Sequence, residues 1–397
     1  MLRTALVLGL MSAVGPFAID LYLPALPAIE EALETDVAAV QLTLTTYFLA
    51  FGVSQLFYGP AADRFGRKPP IYLGLTIFGI GSVLAALAPT VGWLAAARFV
   101  QGLGGAAVMV IPRAIIRDRH TGAEATKLMA MVMLVISVSP LLAPLTGAGL
   151  LALGDWRLMF WALALGAVVC IAVAALFQEE TLPPAHRRRI DLRSMGRGAK
   201  VLFTDPVFMG LTLIGGFGMA SFFVFIASAS FVYTESFGLT PTQFSLAFAV
   251  NAIGFFGASQ IAGPLGGRFG MVPVMSRAVW GFAVFTVGLL VLTLMGQGTL
   301  WTIMFMLFCA NFCLGLVIPA SMVMALDPHG EIAGLASSLG GTMQMLAGGL
   351  MIVVTGPFFD GSPLPMVAAI AVCGTLALAL ALFTLPRAVT PPAAATP

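Results

Sequence analysis

The sequence predicts an all-α integral membrane fold: twelve transmembrane helices in two pseudo-symmetric six-helix bundles, with both termini cytoplasmic. Three observations predict it. Of 397 residues, 59% are hydrophobic and only 9% charged, against about 25% charged in an ordinary soluble domain. Apolar stretches of about 20 residues, the length of a bilayer core at helical rise, recur from end to end. The charges are also sorted by side. With the N-terminus inside, 17 of the 19 basic residues fall at or near the inner face. Glu30, Glu31, Glu34, Asp36, Asp155, Glu235 and Asp360 fall outside. That asymmetry is the positive-inside signature and sets the orientation.

Taken in order, the spans lie near residues 4–27, 40–60, 70–88, 92–114, 127–153 and 157–177, then 207–232, 242–262, 273–295, 300–325, 332–356 and 365–385. The first is too long for a signal-peptide core and reads as a retained helix. It carries "AVGPFAIDLYLPALPAI", with one carboxylate, Asp20, in an otherwise oily run. An acid near mid-bilayer costs about 2.5–3.5 kcal/mol on insertion scales, so it defaults to function. Pro16, Asp20 and Pro24 stand at i, i+4 and i+8, one stripe of a continuous helix. Prolines there release backbone carbonyls, tolerable where the stripe faces a polar cavity. The second span runs into "SQLFYGPAADRFGRKPP", where Gly59-Pro60 is expected to end the helix. The fourth carries Arg98, which either meets Asp20 or snorkels to the outer rim. The fifth holds "SPLLAPLTGAG", a bendable face of Pro140, Pro144, Gly147 and Gly149.

After the sixth span comes the longest polar interruption, "QEETLPPAHRRRIDLRSMGRGAK". It divides an N-terminal bundle (1–178) and a C-terminal one (206–397) by a cytoplasmic linker (179–205), read as a tether resting on anionic lipid. The halves repeat each other. "SQIAGPLGGRFGMVPV" follows the eighth span, so that Gly263-Pro264 and Arg268-Phe269-Gly270 match Gly59-Pro60 and Arg64-Phe65-Gly66. Asp63 and Arg67 become Gly267 and Met271, so the second copy has lost its charges. Asp63 can pair with an arginine, Gly66 permits a tight reversal, and Arg67 and Lys68 can reach lipid phosphate. Gly59, Asp63, Arg64, Gly66 and Arg67 are read as a conformational latch between the halves.

"GPAADRFGRKP" resembles the loop signature of the major facilitator superfamily. "AIDLYLPALPAI", "RFVQGLGGAA" with "RAIIRDRHTG", and "ASASFVYTESFGLTPTQFSLAFAVNAIG" are similar to its bicyclomycin and chloramphenicol resistance branch. The likeness covers nearly the whole chain. It implies a proton-coupled exporter of lipophilic or cationic drugs in the inner membrane, rocking two bundles about a central cavity. It also implies Asp20 and Arg98 as the proton-coupling pair: an acid ionised to hold a cation and protonated to release it, beside a guanidinium that stays charged.

Phe17, Tyr22, Gln41, Tyr47, Phe48, Phe223, Tyr233 and Asn251 are candidate cavity residues, apolar or aromatic with a few polar handles. Four cysteines lie within spans and three histidines in loops without clustering, so no metal site is expected. "GGFG" and "GGTMQMLAGG" read as close helix contacts rather than phosphate loops, and no Walker loop occurs. No cofactor, nucleic acid or enzymatic constellation is expected. The partners are substrate, protons and lipid, and the expected state is a monomer. An exporter of an endogenous metabolite, or a membrane receptor that moves nothing, are the competing functions.

Overall fold

The computed structural model describes residues 2–120, 122–187 and 192–389, and the part of the basic run at Arg188 and Arg189 lies outside them. Every regular element among the described residues is helical. Eleven stretches are long and apolar enough to cross a membrane, and the longest, Leu300–Phe358, contains two long helices in succession. Large apolar side chains stand exposed on them, among them Phe57, Leu165, Leu176, Trp301 and Phe305. Lipid tails, not water, suit such a surface.

The chain forms two compact units, Met1–Asp191 with Gly238–Phe248, and Leu192–Phe237 with Ala249–Pro397. The first contains α1 (Leu2–Asp20), α2 (Leu26–Ala32), α3 (Val37–Phe65), α4 (Lys68–Ala86), α5 (Val91–Arg119), α6 (Gly122–Leu153) and α7 (Arg157–Phe177). Its core is built by α5 against α3 and α4, α4 against α7, and α1 against α6. The second contains α8 (Leu192–Thr204), α9 (Pro206–Phe231), most of α10 (Pro241–Phe269), α11 (Met271–Leu294), α12 (Leu300–Leu326), α13 (Ala333–Thr355) and α14 (Pro363–Val389). Here α9 packs on α12, α13 and α14, and α11 on α12 and α14.

Side-chain oxygens start the helices where the sequence supplies them. Asp36 accepts from the Ala39 amide at 2.7 Å, and Thr90 and Thr299 cap α5 and α12. Thr240 and Gln243 bond each other's amides in a reciprocal capping box.

Three expectations are corrected. The first span is not one helix: α1 stops at Asp20, Leu23–Ala25 forms a 3-10 turn, and α2 begins at Leu26. Pro24 and Pro27 supply no amide to the carbonyls of Asp20 and Leu23, so the α-helical ladder lapses there. Pro24 therefore leaves the stripe of Pro16 and Asp20. Gly59-Pro60 does not end the second span either. Helix α3 carries Pro60 inside it and ends at Gly66, whose φ of +93° and ψ of 172° suit glycine. The stretch expected as a plain linker builds α8, which buries Gly198 and Leu202 and leaves Arg193, Arg197 and Lys200 exposed.

Candidate functional site

Asp20 is the last residue of α1 and only 4% exposed. Among the described residues its carboxylate forms no hydrogen bond or ion pair. The chain just beyond it is held closely, since a Cβ on Gly147 of α6 would collide with the Leu21 carbonyl oxygen. The glycine read as a bending residue thus has a sharper purpose: only a hydrogen fits where α6 meets the break behind Asp20. Pro140 and Pro144 both remain inside α6.

Arg98 is fully buried, which rules out the snorkelling alternative. Its Nη1 donates to the Ala18 carbonyl at 3.1 Å, two residues before Asp20, and to Gln101 Oε1. Three rings surround the guanidinium: Tyr47 at 4.4 Å, Tyr22 at 4.9 Å and Phe160 at 5.9 Å. Such rings favour a cation that has left water. Its Nε and Nη2 have no hydrogen-bond partner among the described residues. No ion pair joins Arg98 and Asp20 among the described residues.

The candidate cavity residues separate by unit. In the first, Tyr22, Gln41, Tyr47 and Phe48 are buried. Tyr22 bonds Thr43 Oγ1 at 2.8 Å, and the Tyr47 hydroxyl donates to the Gly15 carbonyl at 3.2 Å. Phe17 instead lines an apolar cavity of about 220 Å³ walled by α1, α6 and α7, which Asp20 does not line. In the second unit Phe223, Tyr233 and Asn251 are buried, and Asn311 donates to Asn251 at 3.3 Å. Among the "GGFG" and "GGTMQMLAGG" glycines, a Cβ on Gly348 would enter the Phe223 ring and one on Gly215 would lie 2.8 Å from Ser321 Oγ, whereas one on Gly340 would meet nothing within 4 Å.

The α3–α4 turn is a charge cluster inside the first unit. Arg67, 6% exposed, donates through Nε and Nη2 to both oxygens of Asp118 on α5, at 2.8 and 3.0 Å. Its Nη1 reaches Asp63 at 2.6 Å. The Arg67 and Lys68 amides donate to Glu180, just after α7, at 2.8 and 3.1 Å. Burial works to raise the Glu180 carboxyl, but the amides of Arg67, Leu182, Lys68 and Thr181 outweigh it and hold it below its usual value. Arg67 is therefore spent on carboxylates rather than reaching lipid phosphate. Arg64 stacks beside Phe65, and nothing lies within 4 Å of a Cβ on Gly59. The bonds of the turn named as a latch all stay within one unit.

Four participants escaped the sequence reading. Asp118 and Glu180 stood in charged runs, "RDR" and "QEE", that gave no hint of partners far away in sequence. Gln101 follows Arg98 by three residues, one turn on, which was the available signal. Ser82 offered none.

The profile of the Major Facilitator Superfamily matches residues 8–352. The chain is 31% identical over 353 residues to "Multidrug resistance protein D" of Escherichia coli, covering 87% of this chain and 86% of that one. It is 29% identical over 349 residues to a "Bicyclomycin resistance protein homolog" of Haemophilus influenzae, covering 87% of each. A crystal structure of a D-xylose-proton symporter superposes with a TM-score of 0.74 over 96% of both chains at 16% identity, which speaks to the fold alone.

Proposed function

Because this chain belongs to the Major Facilitator Superfamily, we propose that it is a multi-pass transporter of the inner membrane that exports lipophilic or cationic drugs in exchange for protons by alternating access. The observation that carries the reading is Asp20: a buried carboxylate without a hydrogen-bond or ion-pair partner among the described residues, ending a helix whose preceding turn is bonded by Arg98. A permanent structural acid would be satisfied by an arginine or backbone amides, as Asp118 and Glu180 are. An acid left unpaired can trade a proton for a cationic cargo. Ionised, it neutralises the cation; protonated, it loses that attraction and the cargo departs.

Arg98 keeps its charge throughout and carries no proton. Its edge of Nε and Nη2 is the acceptor-seeking side, and Asp20 in its ionised form is the acid nearest in sequence to the carbonyl that Arg98 holds. In the first unit Tyr22, Gln41, Tyr47 and Phe48 supply aromatic and amide groups for cargo in this reading, and the working unit is a monomer. The decisive measurement is proton-driven efflux in everted vesicles. Asp20→Asn inserts normally and abolishes it; undiminished efflux by that variant removes Asp20 from the mechanism.

A further inference from the structure

Arg98 is aimed by a relay of side chains that runs across three helices. The Ser82 hydroxyl of α4 donates to the Phe78 carbonyl of its own helix at 2.8 Å. Its single proton is therefore used, and its oxygen can only accept. Gln101 Nε2 of α5 donates to that oxygen at 2.7 Å. With its NH₂ committed to Ser82, the Gln101 amide turns its oxygen to Arg98 Nη1, whose other hydrogen bond goes to the Ala18 carbonyl of α1. Ser82, Gln101 and Arg98 are all fully buried, so no bulk water competes for these bonds.

The relay decides which edge of the guanidinium is left over. Nη1 is consumed, and Nε with Nη2 remains. Arg67 shows what that edge does in this same protein, since its Nε and Nη2 grip both oxygens of Asp118 while Nη1 points elsewhere. Side-on pairing of this kind is strong and directional.

The second half of the chain shows that the helix frame does not require the relay. Thr286 follows Ser82 by the interval of 204 residues that separates Gly270 from Gly66, and among the described residues it bonds only carbonyls of its own helix, Phe282 at 2.9 Å and Ala283 at 3.2 Å. Counted from the capping threonines Thr90 and Thr299, Arg98 and Gln101 correspond to Leu307 and Ala310, both buried and apolar. Gly81 differs as well. A Cβ on it would collide with the Gln101 backbone nitrogen, so glycine lets α4 lie directly on α5 where the relay starts, while Phe285 holds the matching place in α11.

We propose that Ser82 is a positioning residue for proton exchange: through Gln101 it keeps the Nε/Nη2 edge of Arg98 presented to the Asp20 carboxylate. This rests on the reading of Asp20 as the proton carrier. The charged and titratable groups facing the pair are Tyr22 beyond α1 and Tyr47 on α3; α4 brings Ser82, α6 Gly147 and α7 Phe160, none of them charged.

The test is an infrared pH titration of the purified full chain in lipid nanodiscs, following the protonated-carboxyl band that Asp20→Asn deletes. Ser82→Ala moves the midpoint of that band by about half a pH unit or more, while Ser82→Thr returns it to within about 0.2 of the wild-type value. Thr286→Ala, a matching loss in the other half, leaves it in place. Should Ser82→Ala not fold, Ser82→Cys, similar in size but a weak hydrogen-bonding group, is measured instead with the same expectation. A midpoint indifferent to Ser82, or moved equally by Thr286→Ala, overturns the positioning role. A wild-type band that never titrates sinks the reading of Asp20 itself, so the two failures are told apart.

Discussion

Two arginines in one unit resolve burial in opposite ways. Arg67 satisfies all three nitrogens on Asp63 and Asp118, a finished structure. Arg98 is more deeply buried yet leaves two nitrogens unbonded, relying on rings and on two acceptors at Nη1. A buried charge so incompletely paired is costly, by several kcal/mol in general, and persists where something else needs it. Lysine tests whether charge or shape is needed. Arg98→Lys keeps the cation but offers a point charge in place of a planar fork. It cannot hold Gln101 and Ala18 and also present a two-pronged edge. Efflux in everted vesicles is expected to fall about tenfold or more, the worth of about 1.4 kcal/mol, with normal insertion. Wild-type efflux by that variant would reduce Arg98 to its charge.

The elements of the first unit are tied at one end by Glu180, which brings the segment after α7 onto the start of α4. Its carboxylate accepts from the first amides of that helix, where orphan donors and the positive end of the dipole await an anion. Glu180→Gln keeps one acceptor and loses the charge, so its thermal midpoint in detergent at pH 7 is expected below wild type, for a loss of about 1 kcal/mol. The sign of the pH dependence follows from the depressed carboxyl. Stability from Glu180 is fully present above its unfolded value of 4.5 and is lost as pH falls through the lower folded value. The gap between wild type and the glutamine variant should therefore close as pH falls below about 4.5. A gap that stays constant across that range would mean the carboxylate contributes nothing through its charge. Helix ends carried the least information in the sequence for the same reason that this tie is long-range. Pro60 reads as a terminator, yet a membrane helix in a packed bundle tolerates the missing amide and stops at Gly66, while Pro24 and Pro27, three residues apart, do break the first span.

At the scale of the molecule, the recurring apolar stretches sufficed for the helical frame, and the loop repeat sufficed to reveal two related halves. The long-range hydrogen bonds of Ser82 and Glu180 were illegible because their partners are fixed by packing, 19 and 113 residues away. What the halves share and what they do not can be separated at one pair of glycines. Helices α3 and α10 each run 29 residues and end in the same backbone state, since 241, 269 and 270 follow 37, 65 and 66 by 204. Gly66 has φ +93° and Gly270 φ +84°, a region nearly closed to other residues. Alanine at either site should cost about 1–3 kcal/mol from backbone strain. The surroundings then diverge. A Cβ at Gly270 meets only Pro273, at 3.4 Å, but one at Gly66 would lie 2.5 Å from Glu180 Oε2 and 3.0 Å from Arg187 Nη2. Gly66→Ala must therefore also dislodge the carboxylate that ties α7 to α4, whereas Gly270→Ala leaves the second half otherwise intact. Thermal midpoints in detergent should fall for both and further for Gly66→Ala. In a Glu180→Gln background the excess at Gly66 should shrink, because the tie is already weakened. Equal losses at the two glycines would show that the charged loop of the first half adds nothing to the turn it inherited.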